Sequence, residues 1–249
     1  LEGYGLDVRH FLYKKRKEIM REVILDQIAF EPNIEKLMQY LHVRPHSEDA
    51  QVLQRLTSEA RDIARPRGLY KIAFIESAGD DFVVVDGVKL VSRVLRVNLD
   101  QLQRVFPHIA TCGMELEEWS KKIDDILERF WADAIKEAAL RTAAKAITDD
   151  IERRYQVGPT ARMSPGSLKD WPITEQRGLF KILGNPKEAI GVELLDSCLM
   201  IPIKSVSRLL FATEQSFENC QLCPREDCPN RRAPYDKTLY ERKYRLSES

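Results

Sequence analysis

Apolar residues at the start of the chain recur at helical spacing. Val8, Phe11, Leu12, Ile19, Met20, Val23 and Ile24 predict an amphipathic helix. A second helix is expected to open with Pro32 in its first turn and to carry Ile34, Leu37, Met38 and Leu41. A third starts after Ser47, a suitable N-cap, carries Val52, Leu53, Leu56, Ala60 and Ile63, and stops at Pro66. The period then changes. LYKIAFIE and FVVVDGVKLVS are β-branched and aromatic runs, and Asp86–Gly87 suits a tight turn between two strands. FPHIATCG reads as a further short buried strand. From Met114 to Tyr155 the helical period returns, with the alanine-rich ADAIKEAALRTAAKA able to approach a sheet closely. ARMSPGSLKDWPITEQ reads as a loop leading into the short amphipathic helix ITEQRGLFKILG, and GVELLDSCLMIP and KSVSRLLFA read as strands. After Thr213 the chain is polar and aperiodic until its end.

Strands bracketed by long helices, without regular βαβ alternation, point to an α+β fold. Its sheet is expected to be mostly antiparallel and twisted, with long flanking helices and an irregular cysteine-containing tail. The chain divides into a helical segment 1–44, a central domain 45–213, and a tail 214–249 packed on it. At 249 residues it can bury a substantial core.

Composition narrows the functional classes. Lys plus Arg and Asp plus Glu are 39 each, and the balance argues against a nucleic-acid partner. The basic run YKKRKE is read as the solvated face of a helix. No apolar run approaches the roughly 20 residues that span a bilayer, so no membrane partner is expected. Five cysteines, two of them isolated, suit a reducing, cytoplasmic compartment better than a disulfide scaffold.

Phosphate-binding glycine loops, HExxH and GxSxG are missing, and the four histidines are scattered. No catalytic triad or dyad is read. The one dense chemical cluster is CQLCPREDC, where Cys220, Cys223 and Cys228 are spaced as CxxCxxxxC, one thiolate short of a full metal set.

The stretch 162–212, RMSPGSLKDWPITEQRGLFKILGNPKEAIGVELLDSCLMIPIKSVSRLLFA, carries an ordered set of short motifs. Arg-x-x-Pro-Gly comes first, then Pro before a Glu-containing helix, Ile-Gly-x-x-Leu, Ser-x-x-Met-x-Pro and Ser-Val-Ser. In that order they resemble the reactivation domain of cobalamin-dependent methionine synthase. RPRGLYKIAFIE and ATCGMELEEW extend the resemblance to stand-alone members of that family, over residues 45–213.

The resemblance implies reductive remethylation of a corrinoid held by a partner methyltransferase or corrinoid protein. S-adenosylmethionine would be the methyl donor, and an electron donor would supply a low-potential electron. Arg162 would hold the donor's carboxylate, Ser164 would offer backbone, and Pro165 and Gly166 would shape the loop. The family has Tyr after this Gly where the chain has Ser167, so an aromatic contact is missing or comes from elsewhere, with Trp171 the candidate. The plain alternative is that Arg162 and the Pro-Gly turn merely cap the preceding helix.

In this setting the cysteine run becomes a candidate iron–sulfur site, with zinc or no metal as alternatives, and with Cys198 or Cys112 as fourth ligand. The competing functional reading is a non-catalytic module that docks on a corrinoid protein, or a zinc-stabilised one, keeping the fold without methyl-donor chemistry.

Overall fold

The eight-residue strand β6 (Arg104–Thr111) is the axis of the sheet in a computed structural model that describes residues 22–214, 217–225, 227–228 and 231–245. Along one edge β6 pairs with β10 (Ser205–Ala212), from Ser205↔Thr111 to Leu210↔Phe106. Its other edge is shared by β2 (Arg67–Tyr70) and β3 (Ala73–Ala78). Strand β1 (Val23–Leu25) extends the sheet beyond β2, and β4 (Phe82–Val85) and β5 (Val88–Val91) extend it beyond β3. Strand β7 (Thr160–Met163) lies outside β10. All of these pairings are antiparallel, as the helix and strand pattern implies.

Side-chain alternation gives the sheet two buried faces. Tyr70, Phe106, Ala110 and Leu210 meet α1 (Ile34–Tyr40), α2 (Glu48–Ile63) and the thirty-residue α5 (Ile126–Tyr155). Alanines 132, 139 and 143 are fully buried on α5 and let it lie close to the sheet. Gly68 marks the closest approach, since a Cβ there would stand 2.6 Å from Ile147 Cγ1. The opposite face packs Val105, Met163, Leu209 and Phe211 against α3 (Arg93–Asn98), α6 (Gln176–Leu183) and tail residues Phe217 and Tyr244. Helix α4 (Met114–Lys121) joins β6 to α5, and α7 (Pro186–Ile190) leads to a hairpin of β8 (Glu193–Leu194) and β9 (Met200–Ile201).

Local chemistry explains the well-placed boundaries. Ser47 Oγ accepts from the Ala50 amide at 3.2 Å, and Asp86 and Gly87 turn the β4–β5 hairpin with φ of 45° and 77°. Four readings are corrected. Val23 and Ile24 stand in strand β1, because pairing with β2 offers their β-branched side chains a sheet edge; the other residues assigned to that helix lie outside the described part. Pro32 precedes the N-cap Asn33, whose side chain accepts from the Lys36 amide at 2.8 Å. LYKIAFIE is two strands, and the start of the RMSPG segment is strand, not loop. The short helix α3, capped by Ser92, had no clear period. Among the described residues no helix is long and apolar enough to cross a membrane.

Candidate functional site

Strand β7 puts Arg162 opposite Leu210, and the chain then folds into a tight loop over 164–172. The Gly166 amide donates to the Trp171 carbonyl at 2.7 Å, and the Ser167 amide donates to the Ser164 carbonyl at 3.2 Å. Gly166 has φ of 82°, a conformation that favours glycine, and a Cβ on it would stand 2.8 Å from Ile173 Cδ1, so that side chain would have to shift. Pro165 is buried, whereas Gly166 and Ser167 face outward. Asp170 ties the loop to α3, its carboxylate accepting from the Arg93 and Val94 amides at 3.2 and 2.9 Å and from the Ser92 hydroxyl.

A cavity of about 910 Å³ lies between this loop and the tail. Gly166, Ser167, Lys169 and Asp170 form one wall; Cys223, Tyr235, Asp236 and Tyr240 form part of the other. Trp171 is fully buried in the core and does not line the cavity, so the aromatic rings that face it are those of Tyr235 and Tyr240. The tail also reaches the loop through Asn219, whose Nδ2 donates to Ser167 Oγ at 2.7 Å. It is anchored further along where Tyr244 is buried and its hydroxyl donates to Asn98 Oδ1 at 3.0 Å.

Beside the loop the charges are mostly positive. Register places His108, Arg208 and Arg162 on one face of β6, β10 and β7. Arg232 of the tail pairs with Glu218 at 2.7 Å and also acts on both strand arginines. Burial, then Arg162 and Arg232, pushes the Arg208 guanidinium down to about 10. Arg162 is lowered too, chiefly by burial. His108 is held down to about 3 by burial first and Arg208 next, and its Nδ1 lies 3.2 Å from the Phe106 carbonyl.

His108 is therefore neutral in the fold but takes up a proton in the unfolded chain below pH of about 6.5. Its contribution makes stability fall as pH drops from about 6.5 towards about 3. The His108→Gln variant is expected to show a flatter fall in unfolding midpoint over that range. Identical slopes for variant and wild type would refute this.

Two side-chain polar atoms next to the loop are buried without a partner: the Arg162 Nε donor and the Asn219 Oδ1 acceptor; Trp171 Nε1 is a third. Such atoms are rare in folded proteins; Arg162 and Asn219 adjoin the loop without lining the cavity itself.

The predicted metal ligands stand in three places: the tail, the β8–β9 turn and the end of β6. Arg231 organises the tail cysteines through their backbone, donating to the carbonyls of Cys220 at 3.0 Å and Cys223 at 2.9 Å, while its amide donates to that of Cys228. Cys220 Sγ accepts from the Arg232 amide at 3.4 Å. Cys198 is buried in the β8–β9 turn at φ of 64°, its carbonyl accepting from Gln176 Nε2. Burial pushes the Cys112 thiol up to about 12, so it resists becoming a thiolate. Among the described residues no three His, Cys, Asp or Glu side chains are grouped to hold a metal ion.

The chain is thus an antiparallel, helix-flanked sheet with a Pro-Gly loop following its outer strand. Among solved structures, the chain is similar in fold to the crystal structure of the MetH reactivation domain bound to AdoHcy, with a TM-score of 0.55. The two share 15% identity, over 80% of each chain. No family model and no curated protein sequence matches the chain.

Asn219, Tyr235, Tyr240 and Arg208 were not picked out in the sequence. The first three stand in an aperiodic tail, and Arg208 sits within a strand whose pattern indicates packing.

Proposed function

We propose that the chain binds S-adenosylmethionine between the 164–172 loop and the tail, and serves the reductive remethylation of a corrinoid on a partner protein. The pair of unpartnered buried atoms carries this reading. Arg162 Nε is a cationic donor suited to a carboxylate, and Asn219 Oδ1 is an acceptor suited to an ammonium, which together match a zwitterionic amino acid.

S-adenosylmethionine, when bound, supplies the methyl group that a reduced cobalt accepts. The protein's own part is binding and orientation. Arg162 clamps the carboxylate end. Gly166, without a side chain, lets a ligand approach the backbone. Tyr235 and Tyr240 offer faces on which a purine can stack, in place of the aromatic that Ser167 lacks. No side chain is asked to move a proton. The cysteine run takes no step in this proposal; the electron comes from a separate low-potential donor.

The second reading, a docking module without methyl-donor chemistry, is favoured by Ser167, whose hydroxyl is engaged with Ser164 and Asn219. Calorimetric titration with S-adenosylmethionine separates the two. Saturable binding is expected, weakened about 10- to 100-fold in Arg162→Ala, as loss of a charged hydrogen bond implies. A folded wild type with no saturable binding would leave only the docking module.

A further inference from the structure

We propose that Arg208 and Arg232, beside Arg162, form a receptor for a phosphate-type oxyanion. The three guanidiniums come from three chain segments, β10, the tail and β7. The strand register sets Arg208 and Arg162 on the same face, with Arg208 two residues from Leu210, the partner of Arg162. Neither has a hydrogen bond or ion pair to a described residue. Glu218 is paired with Arg232, and Glu137, which faces Arg208, is already engaged by Arg141 at 3.2 Å and lies 3.8 Å from Lys204. His108, directly opposite Arg208 on β6, is uncharged and offsets nothing.

Two carboxylates act on this group of three cations, Glu218 on Arg162 and Arg232 and Glu137 on Arg208, so positive charge is left in excess. An excess of partly buried cationic charge is costly for folding and suits an anion. Arg208, held down by burial first and by Arg162 and Arg232 next, is relieved when an anion binds. A carboxylate has two oxygens in one plane and is satisfied by a single guanidinium fork, which Arg162 alone supplies. Forks arriving from further segments suit a tetrahedral group, whose oxygens accept from several directions. The hydrophobic strand around Arg208, with Ser207, Leu209 and Leu210 all buried, gives no structural use for a cation there.

Two sources share this chemistry. One is a free phosphate or phosphate ester. The other, which rests on the function proposed above, is the phosphodiester in the nucleotide tail of a partner's corrinoid.

The test is a titration of the full chain with inorganic pyrophosphate at low ionic strength. Wild type is expected to bind it saturably. Arg208→Ala and Arg232→Ala should each weaken it about tenfold or more, Arg208→Lys should retain part, and Arg61→Ala, on the exposed surface, should change nothing. Circular dichroism checks the fold, and Arg232→Ala, in the tail, serves if the strand variant does not fold. Wild type that fails to bind, or binding indifferent to Arg208 and Arg232, would overturn the proposal. Cobalamin, which carries the phosphodiester, is then added in competition beside cobinamide, which lacks it. Displacement by cobalamin alone assigns the oxyanion to the corrinoid; displacement by neither assigns it to a free phosphate. S-adenosylmethionine binding is read on the same samples and should survive Arg208→Ala. Pyrophosphate binding without it would sink the methyl-donor reading alone, and the converse would sink this inference alone.

Discussion

Lys136→Met is expected to destabilise the protein by about 3–5 kcal/mol, because it strands a buried carboxylate. Lys136 on α5 and Glu117 on α4 are 6% and 3% exposed, and their charged atoms lie 3.3 Å apart. Lys204, which shares Asp133 with Lys136, is held by it at 2.8 Å. Asp133 is half exposed and lies 3.9 Å from Lys136, so it gives Glu117 no relief. Replacing both members with apolar residues of similar volume, Lys136→Met with Glu117→Leu, should recover most of the loss, since a desolvated pair contributes little beyond what a packed apolar pair would. Urea denaturation of the two single variants and the double variant measures this directly. Single variants within about 1 kcal/mol of wild type would show that water reaches the pair. The consequence reaches the sheet, because Cys112 at the end of β6 adjoins this pair electrostatically.

How far the chain's architecture could be read beforehand depended on whether a feature is local. Asp86–Gly87 announced its turn because few other residues adopt positive φ at both positions. Ser47 and the long alanine-rich α5 were equally plain, since capping and helical period are properties of neighbours in sequence. Val23 and Ile24 were read as helix because two β-branched residues fit either period, and it is the distant strand β2 that decides. The extent of β7 was hidden by the Pro-Gly turn beyond it, although its pairing with β10 makes Arg162 a strand residue.

The candidate site divides in the same way. The loop was legible: Arg162, Ser164, Pro165, Gly166 and Ser167 lie together at its start, and the φ of Gly166 favours glycine. The opposite wall was not, because Asn219, Tyr235 and Tyr240 are brought in by a tail whose docking depends on Phe217 and Tyr244 entering a core formed elsewhere. The cysteine spacing was conspicuous, but spacing alone does not say where in the fold Cys198 and Cys112 stand. Cys198 belongs to a turn tied to α6 through Gln176, and Cys112 is enclosed on β6.

The roles of Trp171 and Tyr240 can be separated by opposite patterns of stability and binding. Trp171 is fully buried in the cluster with Leu168, Met163, Leu179 and Phe211, and its backbone carbonyl closes the loop onto Gly166. Trp171→Ala should cost about 3–5 kcal/mol, the usual penalty for emptying a large aromatic site, and should weaken S-adenosylmethionine binding by loosening the loop. Trp171→Phe keeps most of the volume and should restore both properties in large part. Tyr240 is 39% exposed and lines the cavity, so Tyr240→Ala should change stability by less than about 1 kcal/mol. If its ring stacks on the purine, the same variant should weaken binding about tenfold, within the roughly 1–3 kcal/mol that aromatic stacking on a base provides. Tyr240→Phe should bind as wild type does, because the face and not the hydroxyl is used. Chemical denaturation and calorimetry on the four variants test the scheme. If Trp171→Phe lost binding while staying fully stable, the indole itself would be the ligand contact; if Tyr240→Ala bound normally, the tail would not form the aromatic wall of the site.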